Sequence, residues 1–230
     1  MPSRRHPWLH RLAWLRRNRC SLLLAWLCLL ILANPFFGEG HGGYKALGMG
    51  LLVILLLSSW ALRLAPRVRI GVALLAFATA AVLMTVPHDE HWLRPVANGT
   101  MALFNAVVLV AVLRYVLDYH VISTDKVFGA VAAYVLIAIT FACIFGLVQY
   151  IENNAFYINQ VNDPDGKLTW SDLMYFSFTV LTSTGFGEIT PVTPIARSLI
   201  VIEQVLGVMY VAFLIARLAN LYRNSGNHRP

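Results

Sequence analysis

Apolar residues occur in six long blocks along the chain, with short polar segments between them. A helix needs roughly 20 residues to cross the hydrocarbon core of a bilayer, and each block is close to that length or above it. The pattern predicts six membrane-spanning helices, called spans here: Cys20–Phe37, Ala46–Leu64, Val68–Val86, Thr100–Leu117, Val127–Tyr150 and Pro194–Leu221. The expected fold class is an all-α membrane protein.

Composition and charge support a membrane protein and predict its orientation. Of the 230 residues, 58% are apolar and 13% are charged, which is about half the charged share of a soluble domain. Four of the 18 Lys and Arg residues lie in one set of loops: Lys45, Arg94, Lys167 and Arg197. The others lie on the opposite side, so the positive-inside rule predicts a multi-pass protein of the cell membrane with both termini in the cytoplasm. Contacts with anionic membrane lipids account for the net charge of +7, and no nucleic-acid partner is expected.

The six spans fall into two regions. A basic tail, residues 1–19, precedes the four spans of residues 20–117, and a polar linker follows at 118–126. The last two spans lie in residues 127–221, and residues 222–230 form a short tail. A basic stretch before an apolar run is also typical of a signal peptide. No A-x-A-like cleavage site follows it, so we expect the first helix to be retained.

The first four spans lack the charges of a voltage sensor. Voltage gating moves several charges through the membrane field, at about 2.3 kcal/mol per elementary charge per 100 mV. Span four reads "TMALFNAVVLVAVLRYVL" and carries one basic residue, Arg114, at its cytoplasmic end. Residues 20–117 are therefore predicted to be a lipid-facing region that does not respond to voltage.

Two helix starts have local signals. Asn98 begins "NGT", which is formally a glycosylation sequence, but we expect its side chain to cap the start of span four. Pro194 follows Thr193 and is predicted to be the first residue of the last helix, after a threonine cap.

The segment between the last two spans contains a short apolar helix followed by glycines. Ser171 is predicted to cap this helix and Asp172 to lie in its first turn, ahead of "LMYFSFTVL". The 12 residues from 171 to 182 make a helix of about 18 Å, which is too short to cross a membrane core of about 30 Å. Non-helical backbone is tolerated at membrane depth only where protein buries it or where it lines a wet cavity. The sequence therefore predicts one re-entrant helix and loop in addition to the spans.

The loop after this helix has the chemistry of a cation site. Gly185 and Gly187 can adopt positive φ, which lets successive carbonyl groups point the same way. A ladder of carbonyl oxygens replaces the hydration shell of a cation. Ser183 adds a hydroxyl group, and the C-terminal end of the short helix carries a partial negative charge that favours a cation.

The stretch "TSTGFGE" resembles the selectivity filter of tetrameric potassium channels, whose family pattern is T-T-V-G-Y-G-D. In that alignment the seven residues in order are Thr182, Ser183, Thr184, Gly185, Phe186, Gly187 and Glu188. The resemblance extends over roughly residues 128–221. The arrangement is similar to that of small prokaryotic-type six-span channels with a two-helix pore module.

This resemblance implies a passive potassium channel formed as a homotetramer, since a cation needs ligands all round. The missing charges of span four add the expectation that this channel is voltage-independent. The implied ligands of K⁺ are the backbone carbonyl groups of Ser183, Thr184, Gly185 and Phe186, with Gly187 completing the filter. The residues implied to support the filter are Tyr175, Phe176, Thr182, Glu188 and Glu203, and Gly207 corresponds to a gating hinge. The resemblance implies no cofactor and no small-molecule substrate other than permeant cations.

Three departures from the family pattern leave an alternative function open. Ser183 stands where the family has its second threonine, and it keeps the hydroxyl group but lacks the methyl group. Phe186 lacks the hydroxyl group of the family's tyrosine, and Thr184 is polar where the family has valine. A weakly selective monovalent cation channel is therefore an alternative. Glu203 also has two interpretations, because an ionisable residue inside a span either serves an ion or gate directly or is hydrogen-bonded as part of the structure.

Other classes of membrane protein are alternatives to a channel. An intramembrane protease would use Ser183 as its nucleophile, but no His or Lys base lies in any span, and the three cysteines show no metal-ligand spacing. We therefore expect no enzymatic activity. A non-conducting accessory subunit is a further alternative. Potassium transporters with this module carry four such loops in one chain, whereas one is found here.

Overall fold

The computed structural model describes residues 18–37, 48–53, 56, 66–85, 94–117, 124–159 and 168–226. It divides into two compact units, Met1–Ile137 and Ala138–Pro230. The first unit contains the helices α1 (Arg19–Phe37), α2 (Pro66–Thr85) and α3 (Arg94–Leu117), together with the first half of α4 (Thr124–Ile151). The second unit contains the rest of α4, strand β1 (Phe156–Ile158), helix α5 (Trp170–Leu181), strand β2 (Ile189–Pro191) and helix α6 (Pro194–Gly226). Residues 48–53 are also helical.

Three helices in the described part of the chain are long and apolar enough to cross a membrane: Arg94–Leu117, Thr124–Ile151 and Pro194–Arg217. The apolar parts of α1 and α2 are shorter, at Arg19–Asn34 and Arg69–Met84. Most of the predicted second span lies outside the described residues. The expectation of a mostly helical membrane protein is confirmed, and the count of six spans stays a prediction.

The start of α3 differs from the predicted start of span four. The helix begins at Arg94, so Asn98 lies inside it with its side chain buried, and the prediction that Asn98 caps this helix is wrong. Pro95 lies in the first turn. A proline there removes no intrahelical hydrogen bond, so this earlier start is compatible with Pro95.

The last two long helices extend beyond their predicted limits. Residues 124–126 of the predicted linker form the first turn of α4, and residues 222–226 of the predicted tail belong to α6. The predicted start of α6 is confirmed, because the helix begins at Pro194 and the Thr193 hydroxyl accepts a hydrogen bond from the Ala196 N–H group at 3.3 Å.

In the first unit, the carboxylate of Asp125 joins three helices. Asp125 lies in the first turn of α4, and its Oδ1 accepts hydrogen bonds from the backbone N–H groups of Cys20 (2.8 Å) and Ser21 (3.4 Å) at the start of α1. Its Oδ2 accepts a hydrogen bond from the Tyr115 hydroxyl of α3 at 3.2 Å. A carboxylate at this position satisfies free N–H groups and complements the positive end of the α1 dipole. One turn further along α4, a Cβ atom on Gly129 would lie 2.9 Å from a side-chain carbon of α3, so the helices pack closely there.

In the second unit, an aromatic cluster fixes α5 in place. The rings of Phe145 in α4 and Phe156 in β1 lie 5.2 Å apart, and Phe176 in α5 lies 5.5 Å from each of them. β1 pairs with β2 in antiparallel register, with Phe156 opposite Pro191 and Ile158 opposite Ile189. Because β1 precedes α5 and β2 follows the loop after it, this small sheet joins the two ends of the segment that holds the predicted filter.

Candidate functional site

Helix α5 begins with a capping box, and its cap lies two residues before the predicted cap, Ser171. The cap is Thr169, whose hydroxyl accepts a hydrogen bond from the Asp172 N–H group at 3.3 Å, while the Asp172 carboxylate accepts one from the Thr169 N–H group at 2.8 Å. Ser171 is the second residue of the helix, so the prediction that it is the cap is wrong. Asp172 lies in the first turn as predicted, and its reciprocal bond with Thr169 is what selects the earlier cap.

Helix α5 ends in a Schellman motif that begins the predicted filter. Thr182 is the C-cap. The Ser183 N–H group donates to the Val180 carbonyl at 2.9 Å, and the Thr184 N–H group donates to the Thr179 carbonyl at 2.8 Å. These are the two hydrogen bonds of the motif, and Ser183 has the left-handed conformation that it requires, with φ of 56°. Glycine is usual at that position, so a serine there carries no sequence signal for the motif.

The N–H groups at the start of the loop face α5. Besides those of Ser183 and Thr184, the Gly185 N–H group donates to the Thr179 carbonyl at 3.2 Å. A trans peptide unit holds its C=O group opposite its N–H group, and the described chain contains no cis bonds. The carbonyl groups of residues 182–184 therefore point away from the end of α5.

Positive φ recurs at every second residue of the loop. It is 56° at Ser183, 56° at Gly185 and 83° at Gly187, as predicted for the two glycines. Apart from the adjoining residues, no heavy atom of the described chain lies within 4 Å of a Cβ placed on either glycine, so the backbone conformation rather than space requires glycine there. The side chains of residues 182–187 are all exposed, whereas Leu181 before them and Ile189 after them are buried.

The polar residue Thr184 links the loop to α5. Its hydroxyl oxygen lies 2.8 Å from that of Thr182, which in turn lies 2.7 Å from the Phe178 carbonyl. The carbonyl can only accept, so Thr182 donates to Phe178 and Thr184 donates to Thr182. The threonine in place of the family's valine thus forms part of a hydrogen-bonded chain rather than an unpaired polar group.

Two aromatic rings and a carboxylate lie together at the far end of the loop. The rings of Tyr175 and Phe186 stack with 6.3 Å between centroids and 5° between planes. The Tyr175 hydroxyl interacts with the Glu188 carboxylate. The backbone of Glu188 is held as well, because its carbonyl accepts a hydrogen bond from the Asn159 N–H group at 2.9 Å. Phe176, the neighbouring aromatic residue, instead packs into the buried aromatic cluster behind α5.

Glu203 and Gly207 lie on the buried stripe of α6. Glu203 is fully buried, and its Oε1 lies 2.5 Å from the hydroxyl oxygen of Ser177 in α5. A Cβ atom on Gly207 would lie 2.1 Å from the Leu181 carbonyl oxygen, so only glycine allows α6 to approach the last turn of α5. This close approach is a second reason for a glycine at the predicted hinge. Ser177 and Leu181 have no signal in the sequence, because their structural roles depend on contacts with a distant helix.

The structure thus brings the predicted filter and its predicted supporting residues around the C-terminal half of α5. Within the described residues, no group of three or more His, Cys, Asp or Glu side chains could hold a metal ion. The polar groups of the exposed loop are backbone carbonyls and the hydroxyls of Thr182, Ser183 and Thr184.

Comparison with known families identifies this part of the molecule. Residues 133–224 match the model of the Ion_trans_2 family, described as an ion channel. The match begins in α4, contains α5 and the loop after it, and ends within α6. No curated protein matches the sequence.

The chain therefore carries an ion channel domain of the Ion_trans_2 family, which confirms the family resemblance of its sequence. The match covers less than half of the 230 residues, and residues 1–132 lie outside it. The domain and the apolar helices make this a membrane protein with a transport function.

Proposed function

We propose that this chain is one subunit of a homotetrameric, potassium-selective and voltage-independent channel of the cell membrane, with both termini in the cytoplasm. The observation that carries the proposal is the backbone of residues 183–187. Three N–H groups bond to the end of α5, and positive φ occurs at every second residue. This arrangement directs carbonyl oxygens away from the helix, where a dehydrated K⁺ ion can use them in place of water.

The proposed roles follow from this backbone. The carbonyl groups of Ser183, Thr184, Gly185 and Phe186 are the ion ligands, Gly187 completes the filter, and K⁺ is the permeant ion rather than a cofactor. The proposed supporting residues are Tyr175, Phe176, Thr182, Glu188 and Glu203, each of which contacts the loop, α5 or the aromatic cluster behind it. Gly207 is the proposed hinge of α6.

Four copies of the chain are needed because one loop surrounds a cation only on one side. The side chains of residues 182–187 are exposed in the single chain. Only 17% of the spanning window of α6 is buried. A closed ring of identical subunits would cover the rest of α6 with neighbouring subunits and lipid, and it would place four loops around one axis.

Voltage independence is supported by the charges of α3. Its basic residues are Arg94 at the first position and Arg114 near the end, so none lies in the middle of the helix. Charges at the two ends cross little of the membrane field when a helix moves, and steep gating needs several gating charges in each subunit.

The alternative function, a weakly selective monovalent cation channel, rests on Phe186. This residue is 67% exposed, and its ring has no hydroxyl group with which to bond its surroundings. Its stacking on Tyr175 and the contact of Tyr175 with Glu188 offer a different restraint. We propose that this restraint keeps the filter narrow enough for potassium selectivity.

A flux assay on the purified protein in liposomes tests the proposal. We expect K⁺ efflux well above Na⁺ efflux, and a tetramer in native mass measurement of the same sample.

Gly185→Ala should abolish selective flux, because alanine disfavours the positive φ by roughly 1–2 kcal/mol and would turn a carbonyl out of line. Gly71→Ala is the matched control, since a Cβ there meets no heavy atom within 4 Å and the residue is helical. Equal flux from the Gly185→Ala and Gly71→Ala variants would contradict the assignment of the filter. A monomer or dimer in the native mass measurement would contradict the proposed tetramer.

A further inference from the structure

Glu203 belongs to a hydrogen-bonded bridge between three helices of the second unit. Its Oε1 lies 2.5 Å from the Ser177 hydroxyl oxygen of α5, and the same hydroxyl lies 2.7 Å from the backbone carbonyl of Ala138 in α4. Glu203 and Ser177 are both fully buried. The second carboxyl oxygen of Glu203, Oε2, is buried without a hydrogen-bond partner among the described residues.

Counting hydrogens shows which group is the donor in each contact. A serine hydroxyl has one hydrogen, and the Ala138 carbonyl can only accept, so the 2.7 Å contact uses the hydrogen of Ser177. The 2.5 Å contact between Ser177 and Glu203 then needs a hydrogen from the carboxyl group. The 2.7 Å distance is typical of O–H···O hydrogen bonds, and the 2.5 Å distance is at the short end of their range. The bridge is complete only when Glu203 carries a proton.

The surroundings of Glu203 also favour its protonated, neutral form. An ionised carboxylate needs several donors, and here one oxygen has none in the described part of the chain. No described cationic side chain forms an ion pair with it. An ionised group buried within a span without a partner costs several kcal/mol, whereas a neutral carboxylic acid needs only the bonds that are present.

Other titratable or charged groups on these three helices also matter for any pH response. Asp172 of α5 is held in the capping box, and Arg197 of α6 donates to a backbone carbonyl of β2 at 3.4 Å. On these helices, the remaining ones in the second unit whose side chains are described are Cys143, Tyr150, Tyr175, Tyr210 and Arg217, while Glu152, Tyr157 and Glu188 lie in the segments between the helices. A test must therefore isolate the proton of Glu203 from those of the cysteine and the tyrosines.

We propose that Glu203 is a neutral carboxylic acid whose proton ties α6, through Ser177, to α5 and α4, and that loss of this proton at alkaline pH releases α5 and lowers conduction. The inference rests on the proposed function of the loop after α5. Ser177 lies two residues before Thr179, whose carbonyl accepts two of the loop's N–H groups. A shift of α5 at Ser177 therefore moves the groups that position the ion ligands. Glu203 is a positioning residue in this scheme, because full burial keeps it out of contact with ions.

The direction of the pH response follows from the bridge. The protonated form has both hydrogen bonds, so the bridge is present at neutral and acidic pH and is lost as the pH rises. If only the protonated form conducts, the flux falls by up to about tenfold per unit of pH once ionisation begins, as for any single proton.

Infrared difference spectroscopy and flux measurements on the full-length protein in liposomes test the proposal together. At neutral pH we expect a carbonyl stretching band of a protonated carboxylic acid that is absent from Glu203→Gln. Raising the pH to about 9, where buried carboxyl groups are known to ionise, should remove the band and reduce K⁺ flux in the parent. Glutamine keeps a donor and the shape of the side chain but cannot ionise. Glu203→Gln should therefore lose this pH dependence.

A second variant keeps the test decisive if Glu203→Gln does not fold. Ser177→Ala removes the acceptor of the carboxyl proton, so the band must shift, and an unchanged band would overturn the bridge. A protein that shows the band but conducts at no pH contradicts the proposed channel function. A conducting protein without the band, or with the same pH profile in parent and Glu203→Gln, contradicts the protonated bridge.

Discussion

Helices α4 and α6 are both long, strongly apolar and able to cross a membrane, yet they have opposite surroundings. In the spanning window of α4, 78% of the residues are buried inside the chain, whereas 17% are buried in that of α6. The buried residues of α6 form one narrow stripe that includes Ala196, Ile200, Glu203 and Gly207. The comparison shows that hydropathy identifies a span without telling what covers it. Most of the α4 window is covered by the chain itself, and most of the α6 window is not.

The largest expected effect is the loss of stability when the buried phenylalanine of α4 is replaced, compared with the exposed phenylalanine of α6. Phe145 of α4 is fully buried, and Phe213 of α6 is 54% exposed. Phe145→Ala should lower the free energy of unfolding by about 3–5 kcal/mol, because it leaves a cavity in the aromatic cluster. Phe213→Ala should change it by less than about 1 kcal/mol and act instead on assembly. Thermal unfolding in detergent together with native mass measurement separates the two effects. Equal losses of stability in the two variants would contradict the difference in burial between α4 and α6.

The next largest effect is expected at Gly207, where the narrow stripe of α6 meets α5. A Cβ there would lie 2.1 Å from the Leu181 carbonyl oxygen, so Gly207→Ala must push the helices apart and should cost roughly 1–3 kcal/mol or more. Gly71→Ala should be neutral or slightly stabilising, because that helical glycine has open space around it. The variants are compared by thermal unfolding and by K⁺ flux. A Gly207→Ala protein as stable as the parent would show that close packing does not explain this glycine.

A smaller effect is expected at Asp125, where the other end of α4 is held by α1 and α3. Asp125→Ala removes the acceptor for two N–H groups of α1 and for the Tyr115 hydroxyl, which should cost about 1–2 kcal/mol. Asp125→Asn keeps an acceptor oxygen and should cost less. Protease sensitivity of the first helix and thermal unfolding measure the difference. If the alanine and asparagine variants behave alike, the hydrogen bonds of Asp125 do not stabilise this junction.

The smallest effect is expected at Thr184. Thr184→Val removes the donor to Thr182 and restores the residue of the family pattern, so the loss should be about 0.5–1.5 kcal/mol, the net value of one hydrogen bond. Thr184→Ser retains the hydroxyl group and should keep the parent's stability within a few tenths of a kcal/mol. The measurement is thermal unfolding in the presence of K⁺. A valine variant as stable as the serine variant would mean that the hydrogen bond from Thr184 to Thr182 contributes nothing to stability.

The sequence was sufficient where local chemistry decides the structure. Positive φ at Gly185 and Gly187, and the start of α6 at Pro194, follow from residue types whose backbone preferences are strong. The cap of α5 also has a local signal, because "TWSD" places an acid three residues after Thr169. The prediction of Ser171 as the cap overlooks this spacing.

The remaining features depend on contacts between distant parts of the chain. Asp125 and Cys20 are 105 residues apart, and no local pattern links a first-turn acid of one helix to the start of another. Ser183 takes a conformation that glycine normally adopts, because the carbonyls at the end of α5 hold its neighbours. The close approach of Gly207 to Leu181 likewise exists only in the packed molecule. The strands β1 and β2 are three residues each and too short to give a periodic signal.

The most direct test of the central claim is the reversal potential of the parent protein in a planar bilayer with K⁺ on one side and Na⁺ on the other. The claim is that the carbonyl groups of residues 183–186 form a potassium-selective filter. At equal concentrations of the two ions, we expect a reversal potential far from zero, with the K⁺ side negative. We also expect an open probability that changes little with voltage, since α3 has basic residues only at its ends. A reversal potential near zero would show that the pore does not distinguish the two ions, and it would contradict the claim.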